Sequence, residues 1–245
     1  MGLELEVANG LTLGTAVGYA SGFSALGQAG QTDSKLSQMV AYGSYQLGSG
    51  AYVAGLAAAE SSQADLRRTA STGDAAFDLH GASKSQRYNA MAEAGVNLAV
   101  GRGFTLTPRA SLGYASLHLD GFREKGGELA LQLDDLQIQR FESRLGFKVG
   151  GAAKLAGGWV FTPRFQADLV SNIGDSEEGM RVRFANAADH SFLLPLAGGD
   201  GSWAEVKGGV SLNSDKVSIG AGVESTLGRT GYKDDRAVVG FALRF

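Results

Sequence analysis

Apolar and polar residues alternate with period two over segments far longer than globular strands, which average about 5–6 residues. Eleven such segments run along the chain: Leu3–Ala8, Leu11–Phe23, Leu36–Leu47, Ala51–Ala64, Gln86–Val100, Phe104–Leu119, Ile138–Leu155, Trp159–Ile173, Trp203–Asn213, Val217–Leu227 and Tyr232–Phe245. The connections alternate in length as well. Asn9-Gly10, Ser49-Gly50, Arg102-Gly103, Ala156-Gly157-Gly158 and Ser214-Asp215 read as tight hairpins, whereas 24–35, 65–85, 120–137 and 174–202 read as long polar loops. A strand tilted across a bilayer needs about 9–11 residues, and short turns on one side with long loops on the other is how bacterial membrane barrels are laid out. The expected fold class is all-β, an antiparallel transmembrane β-barrel.

Successive side chains of a strand point to opposite faces of the sheet, so each segment has an apolar wall and a polar wall. Phe141, Leu145, Phe147 and Val149 share one face, and Glu142, Arg144, Gly146 and Lys148 share the other. The polar wall collects Glu93, Arg109, Arg140, Glu142, Arg144, Lys148, Arg164, Asp168, Glu205, Lys207, Glu224 and Arg244. In a sandwich in water these charges would point outward. In a lipid-facing barrel the assignment inverts, and they line a hydrated lumen. Glycines on the same wall, Gly14, Gly95, Gly113, Gly146 and Gly222 among them, relieve crowding and let the sheet curve. Tyr19, Tyr52, Tyr88, Phe104, Tyr114, Trp159 and Phe161 lie toward segment ends, where an interfacial aromatic girdle is expected.

Composition narrows the function. The formal net charge is −3 with no basic cluster, which gives no footprint for nucleic acid. There is no cysteine, hence no disulfide, thiol chemistry or thiolate metal site. No cofactor motif is present. Neither a Gly-x-Ser-x-Gly elbow nor a His-Glu-x-x-His pair occurs, and His118 with Asp120 is the one rim pair that an outer-membrane hydrolase could use. Asp134-Asp135 and Asp175-Ser176-Glu177-Glu178 lack the glycine and terminal glutamate spacing of a calcium loop.

Several segments together resemble the translocator β-domain of autotransporters, the family of type V secretion. Leu117 to Leu131 contains Gly121-Phe122-Arg123-Glu124, followed by the pair Gly126-Gly127, and is similar to the family's strand-end and loop motif carried by Gly121, Phe122 and Glu124. Gly10 to Tyr19 resembles its early strand, and Thr107-Pro108-Arg109-Ala110 and Thr162-Pro163-Arg164-Phe165 resemble its paired proline strands. Val239, Phe241, Leu243 and Phe245 resemble the C-terminal signal read by the barrel-assembly machinery. The resemblance implies a monomeric barrel in outer-membrane lipid that anchors and exports a passenger domain linked in cis, with transport in place of catalysis. It also implies twelve strands and a luminal helix. Against those twelve, the eleven segments lack the helix and the first strand, so residues 1–245 are expected to be an N-terminally truncated translocator domain. A porin or adhesin barrel without a passenger is the other reading.

Overall fold

The computed structural model describes residues 1–25, 30–173, 179–195, 201–229 and 234–243. Eleven long strands form a single meander: β1 (Gly2–Ala8), β2 (Leu11–Ala25), β3 (Gly30–Gln46), β4 (Ala51–Thr72), β5 (Ala75–Val96), β6 (Phe104–Leu119), β7 (Leu136–Gly151), β8 (Val160–Ile173), β9 (Ser202–Asn213), β10 (Val217–Leu227) and β11 (Asp235–Leu243). Each pairs antiparallel with the next, so order in space is order in the chain, with β1 and β11 at the two ends of the row. Short strands at Leu98–Gly101 and Ala153–Lys154 extend the pairing of β6 and β8. The tight turns gather at one end. Arg102 (φ 51°) and Gly103 (φ 78°) both take the left-handed conformation that a two-residue hairpin requires.

The meander inverts the burial of a water-soluble protein. Leu112, Leu145 and Leu169 are 64%, 67% and 66% exposed, while Glu93 and Asp168 are 9% and 3% exposed. Register explains the band. Leu112 pairs with Ser143, Leu145 with Ala110 and Leu169, and Phe147 with Pro108 and Ala167, so apolar and small side chains of neighbouring strands tile one outward face. Tyr114 and Phe141 pack ring to ring at 4.8 Å near its upper limit. Tyr52 departs from the girdle expected of it. It shares parity with Glu60 and not with Val53, so it faces inward, where its hydroxyl donates to Glu93 at 2.7 Å.

Among the described residues, much of two long loops expected from the sequence is strand instead. β4 and β5 continue through residues 65–85 to a turn at Gly73-Asp74, and β2 and β3 extend to Ala25 and from Gly30. Beyond the apolar band the outward face of β4 and β5 turns polar and the inward face mixes Ser62, Ala64 and Arg68 with Leu66, Phe77 and Leu79, so the period-two contrast weakens although the hydrogen-bonded ladder continues. Parts of 120–137 and 174–202 form a second sheet, in the order Ala187–Pro195, Gly179–Phe184, Leu131–Leu133, Phe122–Arg123. It packs inside the extended β4–β5 arm around Leu79, Ala130 and Ala185, with Ala70, Phe77 and Leu129 alongside. This small cap is the conventional apolar core of the molecule.

Candidate functional site

The inner face of the meander concentrates charge where neighbouring strands bring it into layers. Gly146 stands in register with Arg109 on one side and Asp168 on the other. A Cβ at Gly146 would strike the Asp168 carboxylate and the Ala167 carbonyl. With none there, Arg109 Nη2 crosses above β7 to Asp168 Oδ2 at 2.6 Å. The other terminal nitrogen, Nη1, pairs with Glu93. Glu93 also accepts from Tyr52 and from Lys148 Nζ at 3.3 Å, and Asp168 accepts from Gln166 at 2.7 Å. Strands β4 to β8 are thereby tied together by one polar network. The side chains of Arg109 and Asp168 are 9% and 1% exposed, and each buried charge has an opposite partner, without which its desolvation would go uncompensated.

A second cluster centres on Arg144, which lies 3.0 Å from Glu142 and reaches across β8 to Glu205 at 2.7 Å. Trp203 Nε1 donates to the same carboxylate at 3.1 Å. Lys207 pairs with Glu224 at 3.3 Å. Arg140 stands two positions above Glu142 on the same face. Arg164, lower on β8, is exposed and makes no ion pair among the described residues. Arg244 lies outside the described residues. The described wall residues thus fall on one inner face, with a buried cluster at Arg109, a part-exposed one at Arg144, the half-exposed pair of Lys207 and Glu224, and Arg140 and Arg164 above and below them. Sequence reasoning left Tyr52 and Trp203 out of this network. Parity with Glu60 and Glu205 is the signal that finds them.

Tyrosine rings cover glycines on the same face. The Tyr42 ring occupies the space that a Cβ at Gly14 would need, and the Tyr52 ring comes within 2.7 Å of a Cβ built at Gly95. Tyr42 also donates to Glu4 at 2.9 Å.

The loop residues Gly121, Phe122 and Glu124 build the cap. The Gly121 amide donates to Asp135 at 2.5 Å, and the Phe122 ring lies over Gly81. Glu124, 7% exposed, takes two hydrogen bonds from Arg68, at 2.8 Å and 2.6 Å, and one from the Leu131 amide at 2.8 Å. Asp134 pairs with Arg183, so both acids of the Asp134-Asp135 pair are engaged within the cap. The run Asp175 to Glu178 lies outside the described residues. On β11, Val239, Phe241 and Leu243 face outward at 81%, 65% and 52% exposure, and Phe245 lies outside the described residues. His118 Nε2 lies 3.3 Å from Asp120 at the outer rim, both about half open to water.

A comparison with curated proteins gives no match. Among solved structures, the fold is similar to the translocator domain of the autotransporter NalP from Neisseria meningitidis, with a TM-score of 0.70 and 18% identity over 100% of this chain and 79% of that one. The beta domain of the Bordetella autotransporter BrkA follows at a TM-score of 0.52 and 17% identity, over 99% of this chain and 85% of that one. At these identities both likenesses show the fold. Residues 1–224 match the family model of the Autotransporter beta-domain. The translocator domains of that family are not enzymes. The chain therefore belongs to the autotransporter beta-domain family and is a translocator β-barrel of the bacterial outer membrane, the part that exports a passenger domain carried in cis.

Proposed function

We propose that the charged inner wall is the surface along which the passenger polypeptide travels, and that Glu93, Arg109, Arg140, Glu142, Arg144, Lys148, Arg164, Asp168, Glu205, Lys207, Glu224 and Arg244 keep that surface hydrated. The observation that carries this reading is the inversion of the meander: paired charges on one face, exposed apolar side chains on the other. The part-exposed pairs of the wall, Arg144 with Glu142 and Glu205 and Lys207 with Glu224, contribute only about 0–1 kcal/mol each, too little to account for them on stability grounds. A wall of fixed, mutually neutralised charge offers a moving chain water and few apolar contacts to stick to.

The C-terminal strand, with Val239, Phe241, Leu243 and Phe245, is the element that the barrel-assembly machinery would read during insertion. Gly121, Phe122 and Glu124 serve the cap that folds over the outer end. In this reading the domain's role is transport and not catalysis. Folding of the passenger outside the cell drives its exit.

In the full-length precursor, replacing Arg144, Lys148 and Arg164 together by leucine should stall the passenger while the barrel still inserts. Surface display is read by protease accessibility of the passenger, and insertion by heat-modifiable migration of the barrel. Normal display from the triple variant would remove the wall from the transport mechanism.

A further inference from the structure

Among the described residues, lysine and arginine stand on the outward face near the outer edge of the apolar band in one place only, on β3 to β5. Ser21, Lys35, Gln63 and Lys84 form one row across β2 to β5, and all four are exposed. The side chains of Lys35, Gln63 and Lys84 have no hydrogen-bond or ion-pair partner among the described residues. The upper outward ends of β6 to β10 carry His118, Gln137, Ile173, Ser202 and Leu227, with no lysine or arginine.

Depth gives the row its meaning. Two residues below it the outward row is Tyr19, Ser37, Ser61 and Gln86, and the Tyr88 hydroxyl donates up to Gln86 at 3.3 Å. Phenol tips of this kind mark the level where hydrocarbon gives way to headgroups. Two residues of strand rise about 7 Å, and the headgroup layer of a leaflet is about 5–8 Å thick, so Lys35 and Lys84 lie at headgroup height. The long-loop end of a bacterial barrel faces outside, which makes the leaflet the outer one. The two lysines are separated by two strand spacings, about 9.6 Å, and their flexible stems can close on one group over Gln63. One row higher Asp33 faces Asp65, neither with an ion-pair partner among the described residues, and both border a recess with Ser21, Lys35 and Gln63. Opposed carboxylates there repel an anion that rises past the lysines. Beyond them the face is mixed, with Arg67, Asp78 and His80. Below the lysines the same strands form a trough in the apolar band. Its floor is Ala41, Gly55, Ala57, Ala59, Ala90 and Ala92, between Leu13 and Met39 on one side and Tyr88 and Leu112 on the other.

We propose that Lys35, Gln63 and Lys84 hold the phosphate of an outer-leaflet lipid, one acyl chain of which lies in the alanine and glycine trough below them. The two ammonium groups neutralise the anion, and the Gln63 amide donates to it between them. The carboxylates of Asp33 and Asp65 cap the site and fix the height of the headgroup. The trough extends the contact downward, where an acyl chain gains dispersion contact on three sides in place of one. The site faces away from the lumen and is independent of whatever passes through it.

The test takes the full-length precursor in detergent and reads bound lipid by native mass spectrometry. The probe is phosphatidic acid, a phosphate monoester on acyl chains, against phosphatidylcholine, whose phosphate is masked by its own cation. The barrel should retain phosphatidic acid selectively. Lys35→Gln and Lys84→Gln should each weaken that binding about five-fold, the strength of one basic residue at an anionic surface, and leave phosphatidylcholine unchanged. Ala57→Phe, which fills the trough with both lysines intact, should weaken it about four-fold, the worth of one buried methylene. These positions are exposed, and heat-modifiable migration checks that each variant is a folded barrel. Equal affinity of the parent and the Lys35→Gln/Lys84→Gln double variant overturns the phosphate site. Displacement of the lipid by millimolar inorganic phosphate overturns a lipid as its occupant. Binding that Ala57→Phe leaves unchanged overturns the trough as the path of the acyl chain.

Discussion

The β4–β5 hairpin obeys one rule in its lower half and the opposite rule in its upper half. Below Ser61 and Gln86, the outward side chains are Val53, Gly55, Ala57 and Ala59 against Tyr88, Ala90, Ala92 and Ala94, and the inward ones include Tyr52, Glu60, Arg87 and Glu93. Above that level the outward face carries Gln63, Asp65, Arg67, Lys84 and His80, while Leu66, Ala70, Phe77 and Leu79 point inward, the last three forming part of the cap core. Neither strand changes its register. What changes is the medium: lipid outside and water inside below, water outside and a protein cap inside above. The apolar side follows whichever neighbour excludes water.

The sharpest way to break this comparison is to charge the lipid face. Leu145→Arg should destabilise the barrel by about 2–4 kcal/mol, as a basic residue does near the bilayer midplane. Urea titration in lipid vesicles measures it, and an unchanged midpoint would mean that the outward face does not meet lipid. Next in size is the upper half. Leu79→Ala should cost about 2 kcal/mol locally, the lower end for a buried leucine, because the cap core around it is small. Amide hydrogen exchange should speed up in residues 66–82 and 129–133 while the midpoint in vesicles stays put. If both moved together, cap and wall would be one cooperative unit. The smallest effect marks the boundary. Lys84→Leu, outward and above the band, should change stability by less than about 0.5 kcal/mol. Clear stabilisation in vesicles would raise the lipid boundary above Lys84.

The same change of medium decides what could be read from the sequence. Lipid on one face imposes strict alternation, so every long strand is legible, β6 and β10 with both ends where the sequence puts them. Above the band the alternation of Ser61, Gln63, Asp65 and Arg67 with Ser62, Ala64, Leu66 and Arg68 contrasts little, and a strand there looks like a loop. The cap strands are two to nine residues long and paired with distant partners, beyond the reach of a local pattern. For the wall, parity alone puts Arg109, Gly146 and Asp168 on one face. That they meet depends on register across three strands, which is set by pairing and not by any one segment. Tyr52 departs from expectation for the reverse reason: it lies near a strand end, but its parity turns it inward.

The bridges that skip a strand carry one more consequence, concerning girth. Arg109 to Asp168 over Gly146, and Arg144 to Glu205 over β8, join each strand to its second neighbour. The distance between second neighbours depends directly on how sharply the sheet bends, so these links behave as hoops. Flattening the wall to enlarge the bore would part Asp168 and Arg109, and separating a buried pair of that kind costs about 3–5 kcal/mol. The barrel thus resists dilation on its charged side, and its girth is held by two side-chain links as well as by the backbone ladder.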